Sequence, residues 1–163
     1  MKIANNNLTY SNPSGTLKLW DLGGNIALFS DSATGERGLA VKVTAGETIS
    51  KGNVLCYLIG GTSGKVTKCP TTGVSHSMPV GVALTGGNTD ASIWMATNGL
   101  VQVLPETDIT AAFGNILITS PDTSGLAGQY STVPISDHWD EVGHWAETGS
   151  GNGVLALASI HFN

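Results

Sequence analysis

The chain has 163 residues, of which 12% are charged and 40% hydrophobic; 22 are glycine, and the net charge is −5. That length can bury a real core as one domain or two small ones. Seven scattered Lys and Arg do not form the clustered cations that a phosphate backbone requires, and no run of about 18 apolar residues is present to span a bilayer, so neither a nucleic-acid nor a membrane partner is expected.

Low charge with frequent Gly, Ser and Thr suits short strands joined by tight turns, and the hydrophobic content is too high for disorder. Residues 1–16 read as a polar arm. Met1 to Asn7 lacks the apolar stretch of a secretory signal, so the sequon Asn7-Leu8-Thr9 carries no glycosylation expectation. Leu17–Leu22 and Ile26–Phe29 are short apolar runs separated by Gly23-Gly24. Leu39–Thr44 alternates, with Leu39, Val41 and Val43 on one face, the period of a half-buried strand. Trp20, with Leu17, Leu19 and Leu22, has two readings. It is an anchor to a larger partner, since aromatics carry much of interface energy, or it belongs to a core strand.

Residues 45–52 form a connector with one apolar plug, Ile49. Val54–Ile59 is continuously apolar and reads as a strand buried on both faces. Gly60–Gly64 is a hairpin loop, returning through Lys65–Cys69. Gly60 to Lys65 resembles a phosphate loop only at a glance. Three residues separate Gly60 from Gly64, Val66 follows Lys65, and a strand follows where a helix is needed. A hairpin centred on Thr62-Ser63 sets Cys56 opposite Cys69. A cross-strand disulfide has demanding geometry, and two free thiols in strands is the favoured reading.

Pro79–Leu84, Ile93–Ala96 and Leu100–Leu104 supply three more strands. Pro105–Phe113 opens like a helix, with Pro first and acids in the first turn, but it aligns with the earlier connector and is expected to be a loop or single turn. Ile116–Ile118, a turn over Gly125–Gly128, Val142–Ala146 and a long final strand from Val154 to Phe162 complete the chain.

The chain is organised around a phrase that occurs twice, Pro79-Val80-Gly81-Val82-Ala83-Leu84 and Glu141-Val142-Gly143-His144-Trp145-Ala146. Gly81 and Gly143 lie 62 residues apart, as do Gly52 and Gly114, Val54 and Ile116, and Ile93 and Leu155. One register therefore aligns the two halves. The fold class expected is all-β, as short-strand sandwich or barrel-like modules, internally repeated, with little or no helix. Residues 1–44 form an arm with short strands, 45–104 a first β module and 105–163 a second.

His138-Trp139-Asp140-Glu141-Val142-Gly143-His144-Trp145 is the densest functional-looking stretch. Its imidazoles and carboxylates could ligate a transition metal, but their spacing is poor for one ion, and a turn plus strand with aromatic packing is the favoured reading. Trp139 and Trp145 alternatively form a sugar-stacking or subunit-contact surface. No nucleophile elbow and no HExxH is present, and the carboxylate pairs Glu106/Asp108 and Asp140/Glu141 read as solvated turns. No catalytic, cofactor or metal site is expected. The candidate partner contacts are Trp20, Leu22, Trp139 and Trp145.

Ala45-Gly46-Glu47, Ile49, Lys51-Gly52, Val54, then Gly64-Lys65-Val66, then Pro79–Leu84 occur in an order that resembles small tailed-phage capsid decoration and head-fibre proteins. Val142–Glu147 and Val154–Leu157 are similar to C-terminal β modules of phage appendage proteins. The resemblance covers residues 45–163. It implies a non-enzymatic, cofactor-free homotrimer on the outside of an icosahedral head, bound to the major capsid protein. It also implies assembly in the bacterial cytoplasm, where thiols stay reduced. Two other classes remain open: a carbohydrate- or receptor-binding tail-associated module using Trp139 and Trp145, and a small hydrolase using His138 or His144.

Overall fold

The computed structural model describes residues 7–9, 16–57, 64–71, 78–130, 140–149 and 153–162. The described residues form an all-β protein with no α-helix. The strands are β1 (Asn7–Thr9), β2 (Leu17–Gly23), β3 (Ile26–Asp31), β4 (Arg37–Ala45), β5 (Val54–Tyr57), β6 (Lys65–Lys68), β7 (Pro79–Ala83), β8 (Ser92–Val103), β9 (Ile116–Thr119), β10 (Ala127–Tyr130), β11 (Glu141–Trp145) and β12 (Ala156–His161). Hydrogen bonding orders them β1-β2-β3-β4-β6-β5-β7-β8-β12-β11-β9-β10, and β4 also pairs with β8.

That extra pairing closes a ring of five strands, β4-β6-β5-β7-β8, with β4 and β6 parallel and the other neighbours antiparallel. A second ring repeats it. A shift of 62 residues carries β5 onto β9, β6 onto β10 and β7 onto β11, residue for residue. The same shift carries β4 onto residues 99–107, the far half of β8 and its continuation. There Pro105 bridges Ala127 in parallel, and Glu106 N donates to the Ala127 carbonyl at 3.0 Å. The second ring is therefore β8-β10-β9-β11-β12, and the twelve-residue β8 serves both rings. The antiparallel β8–β12 seam, Val103 opposite Ala156 through Asn98 opposite His161, closes the second ring as β4–β8 closes the first. The pairing thus runs across residues 44–45 and 104–105.

Loop hydrogen bonds repeat as well. Gly52 N donates to the Ala83 carbonyl at 2.8 Å and Gly114 N to the Trp145 carbonyl at 2.9 Å. Gly87 N donates to the Ile49 carbonyl at 2.9 Å, and the equivalent Gly149 N donates to the Ala111 carbonyl at 3.0 Å. The plug read at Ile49 is real, 2% exposed inside the first ring, and its counterpart in the second is the fully buried Ala111.

Two cores follow. Ala45, Ile49, Leu55, Val66, Ala83, Ile93 and Met95 fill the first ring, with Val41, Val43 and Val80 against them. A larger cluster runs from Leu17, Leu19 and Phe29 on the β2–β3 hairpin through Val54, Val82 and Trp94 to Leu117, Trp145 and Ile160 in the second ring. Val54 lies in one core and Leu55 in the other, so the start of β5 is buried on both faces, while Tyr57 at its end is 49% exposed and residues 58–59 lie outside the described residues.

Three sequence readings are corrected by this geometry. Asn98-Gly99 looks like a break between two strands, yet β8 runs through it. Gly99 (φ 117°) sits opposite Gly38 where β4 crosses β8, and an added Cβ there would lie 2.2 Å from the Arg37 carbonyl oxygen. The glycine serves close backbone approach, not a turn. The turn placed over Gly125–Gly128 gives way to β10 from Ala127, where Ala127 pairs with Thr119 and Gly128 with Ile118, one residue out of step with the β5–β6 register, in which Val66 pairs with Tyr57. The β5–β6 register sets Cys56 opposite Thr67, two residues from the hairpin centred on Thr62-Ser63, so Cys69 lies diagonal to Cys56 and its N–H donates to the Val54 carbonyl at 2.9 Å. Both thiols are free. The loop expected over Gly60–Gly64 lies outside the described residues except for Gly64.

Candidate functional site

The β2–β3 hairpin extends from β4 and overhangs the β8–β12 seam. Leu17, Leu19, Ala27 and Phe29 face the core, as the alternation of strands requires. The opposite face carries Trp20, paired with Leu28, and Leu22 beyond it. Leu22 and Leu28 are 44% and 46% exposed, far more than core leucines such as Leu19 at 1%. Together with Leu100 from β8 and Ser159 from β12 they line a groove of about 760 Å³, rimmed by the exposed guanidinium of Arg37 and floored by the Gly38–Gly99 crossing. A lone exposed leucine needs no explanation; Trp20, Leu22 and Leu28 lining one concavity do.

Of the candidate contacts, Trp20 and Leu22 thus come together in one surface feature. Trp139 lies outside the described residues, as does His138. Trp145 is elsewhere and is 1% exposed. It occupies the position of Ala83 in the first ring, opposite Ala158, and fills the second barrel. At that exposure it offers no stacking or contact surface; the strand alternation that aims His144 outward aims Trp145 inward.

Two buried carboxylates are structural. Glu36, 1% exposed, accepts from Lys51 Nζ at 2.6 Å, Thr34 Oγ1 at 2.8 Å and Gln102 N at 3.0 Å. Glu106 accepts from the Ser120 hydroxyl and from Asp122 N at 3.1 Å. Glu106, read from the sequence as part of a solvated turn, is instead 7% exposed and ties its loop to residues 120–122. Cys56 and Cys69 interact through their thiols. Hydrogen bonding from Cys69 holds Cys56 down at about 7 against the opposing effect of burial, while the same bond and burial push Cys69 up.

One constellation was not legible in the chain order. Glu141, His144 and His161 converge on the outer face of β11 and β12. Sequence reasoning paired His144 with His138; the fold brings His161 to it from the last strand. The available signal was the alternation of Ala156, Ala158 and Ile160, which leaves Ser159 and His161 on the opposite face.

No family model matches the chain, and no curated protein is similar to it.

Proposed function

We propose that this chain is a phage virion structural protein, a capsid decoration or head-fibre protein that sits as a homotrimer on the outer surface of the head and binds the major capsid protein. The observation that carries this reading is the groove at Trp20, Leu22, Leu28 and Leu100. Trp and Arg are the residue types that dominate interface energetics, and here Trp20 and Arg37 flank an apolar concavity open to a partner. The resemblance of residues 45–163 to decoration and head-fibre proteins supplies the partner class, and a compact, low-charge β scaffold of two fused barrels suits a rigid surface subunit. Assembly takes place in the bacterial cytoplasm, and the role is structural. On a shell that offers many equivalent sites, modest contacts per chain add through multivalency.

The experiment is co-sedimentation of the purified chain with heads of the phage that carries its gene, stripped of surface proteins. The wild-type chain saturates the heads at a fixed ratio. Trp20→Ala with Leu22→Ala weakens binding by about thirtyfold or more, the effect of losing roughly 2 kcal/mol at a hot spot, without changing the fold. A wild-type chain that stays in the supernatant at every concentration sinks the reading.

A further inference from the structure

The geometry points to a divalent transition-metal site at Glu141, His144 and His161, a two-histidine, one-carboxylate set that ties the last strand to its neighbour.

The set exists because of a bulge. Glu141 and His144 are three residues apart, which on a regular strand sends them to opposite faces. The β11–β9 register shifts between Glu141 and Gly143, so that Glu141 lies opposite Ile118 and His144 opposite Ile116, two residues of one face. Gly143 (φ 153°) takes the inward position, where a Cβ would lie 2.0 Å from the Ser159 carbonyl oxygen. His144 then pairs with Ser159, and His161, two residues on, shares that face.

Each residue brings one ligand atom, and all three lie within 4.8 Å of one another. Glu141 Oε1 and His161 Nε2 are 3.3 Å apart. That is about the separation of two ligands on a tetrahedral zinc with bonds of about 2.0–2.1 Å. The His144 and His161 rings are stacked, with centroids 5.7 Å apart and planes 13° from parallel. Small χ rotations on the half-exposed side chains bring the His144 nitrogen in. Neutral imidazoles with one carboxylate suit zinc, cobalt, nickel or ferrous iron over calcium or magnesium, which take all-oxygen shells. His161 is 44% and Glu141 20% exposed, so an ion enters from solvent, and three protein ligands leave a fourth position for water or an outside donor. Because β12 is bound to β8 and β11, an ion on Glu141, His144 and His161 closes a bridge between β11 and β12 that stabilises the folded chain over the unfolded one.

The test is titration of ZnCl₂ into the untagged full-length chain, with calorimetry for stoichiometry and thermal unfolding for stability. CoCl₂ serves as a spectroscopic probe of coordination. The expected result is one ion per chain, a rise in Tm of about 5–10 °C at a hundredfold excess of free zinc over Kd, and visible cobalt bands of a low-coordinate site. His161→Gln and His144→Gln each weaken binding by more than about tenfold and abolish the cobalt bands while leaving the metal-free Tm within a few degrees. The proposal is overturned if zinc does not bind. It is equally overturned if the His144→Gln/His161→Gln double variant binds as wild type, which would move the site to Cys56 or to the other histidines, His76 and His138.

Discussion

Trp145 and Ala111 in the second barrel stand where Ala83 and Ile49 stand in the first. The large residue has moved from the plug to the strand. Interiors are close-packed, so such an exchange succeeds only if total volume is kept. Trp145→Ala is therefore expected to cost about 3–5 kcal/mol in urea unfolding, and adding Ala111→Ile to recover at least about 1 kcal/mol by restoring the first barrel's arrangement. Equal penalties for Ala111→Ile with and without Trp145 would refute the compensation. A second residue-scale expectation concerns Cys56. Its thiol is held at about 7 in the folded chain, below its ordinary 9.0, chiefly by the hydrogen bond from Cys69. A lowered folded pKa means that the unfolded chain binds more protons between these values. Stability therefore rises from pH 7 to 9 and falls again as pH drops through about 7. Cys69, pushed up, acts in the opposite sense only above its ordinary value. Urea midpoints at pH 7 and 9 should separate in wild type and draw together in Cys56→Ser; an identical separation in both would contradict the assignment.

At the scale of elements, what the chain made legible was whatever repeats. β5, β6 and β7 recur as β9, β10 and β11 at the spacing that Gly52/Gly114 and Gly81/Gly143 announce. The connector reading of Pro105–Phe113 followed from the same register, against its helix-like opening. What stayed hidden depends on contacts between distant residues. Asn98-Gly99 has the local chemistry of a turn, and only the crossing with Arg37-Gly38 shows why glycine is there within a continuous strand. Trp20 and Leu22 stand out in the sequence because residues 1–44 have no second copy, and the structure sets both on the exposed face of the β2–β3 hairpin. Alternation alone does not say which face of β11 is inward, which hides the burial of Trp145, and the neighbourhood of His161 is created by a bulge in another strand. Glu36 is an element-scale tie of the same kind. From the β3–β4 turn it reaches Gln102 N in β8 and Lys51 in the connector. Its side chain is fully buried, whereas Lys51 keeps 19% exposure. Glu36→Ala strands both partners and should cost about 3 kcal/mol or more by chemical denaturation. A loss under about 1 kcal/mol would show that water replaces the carboxylate without penalty.

The described residues form two five-stranded rings that share β8, with the β2–β3 hairpin and its groove beside the β8–β12 seam. Neither ring is closed without β8, and the apolar groove lies where β4 meets β8, at Gly38 and Gly99. On the proposed virion role, a subunit that covers a shell is expected to assemble with closed symmetry. The most direct measurement is the solution mass of the purified chain by multi-angle light scattering across a concentration series. The account predicts one dominant species at about three times the 16.7 kDa chain mass. A 16.7 kDa monomer at every concentration, with the same mass when released from heads, would contradict it.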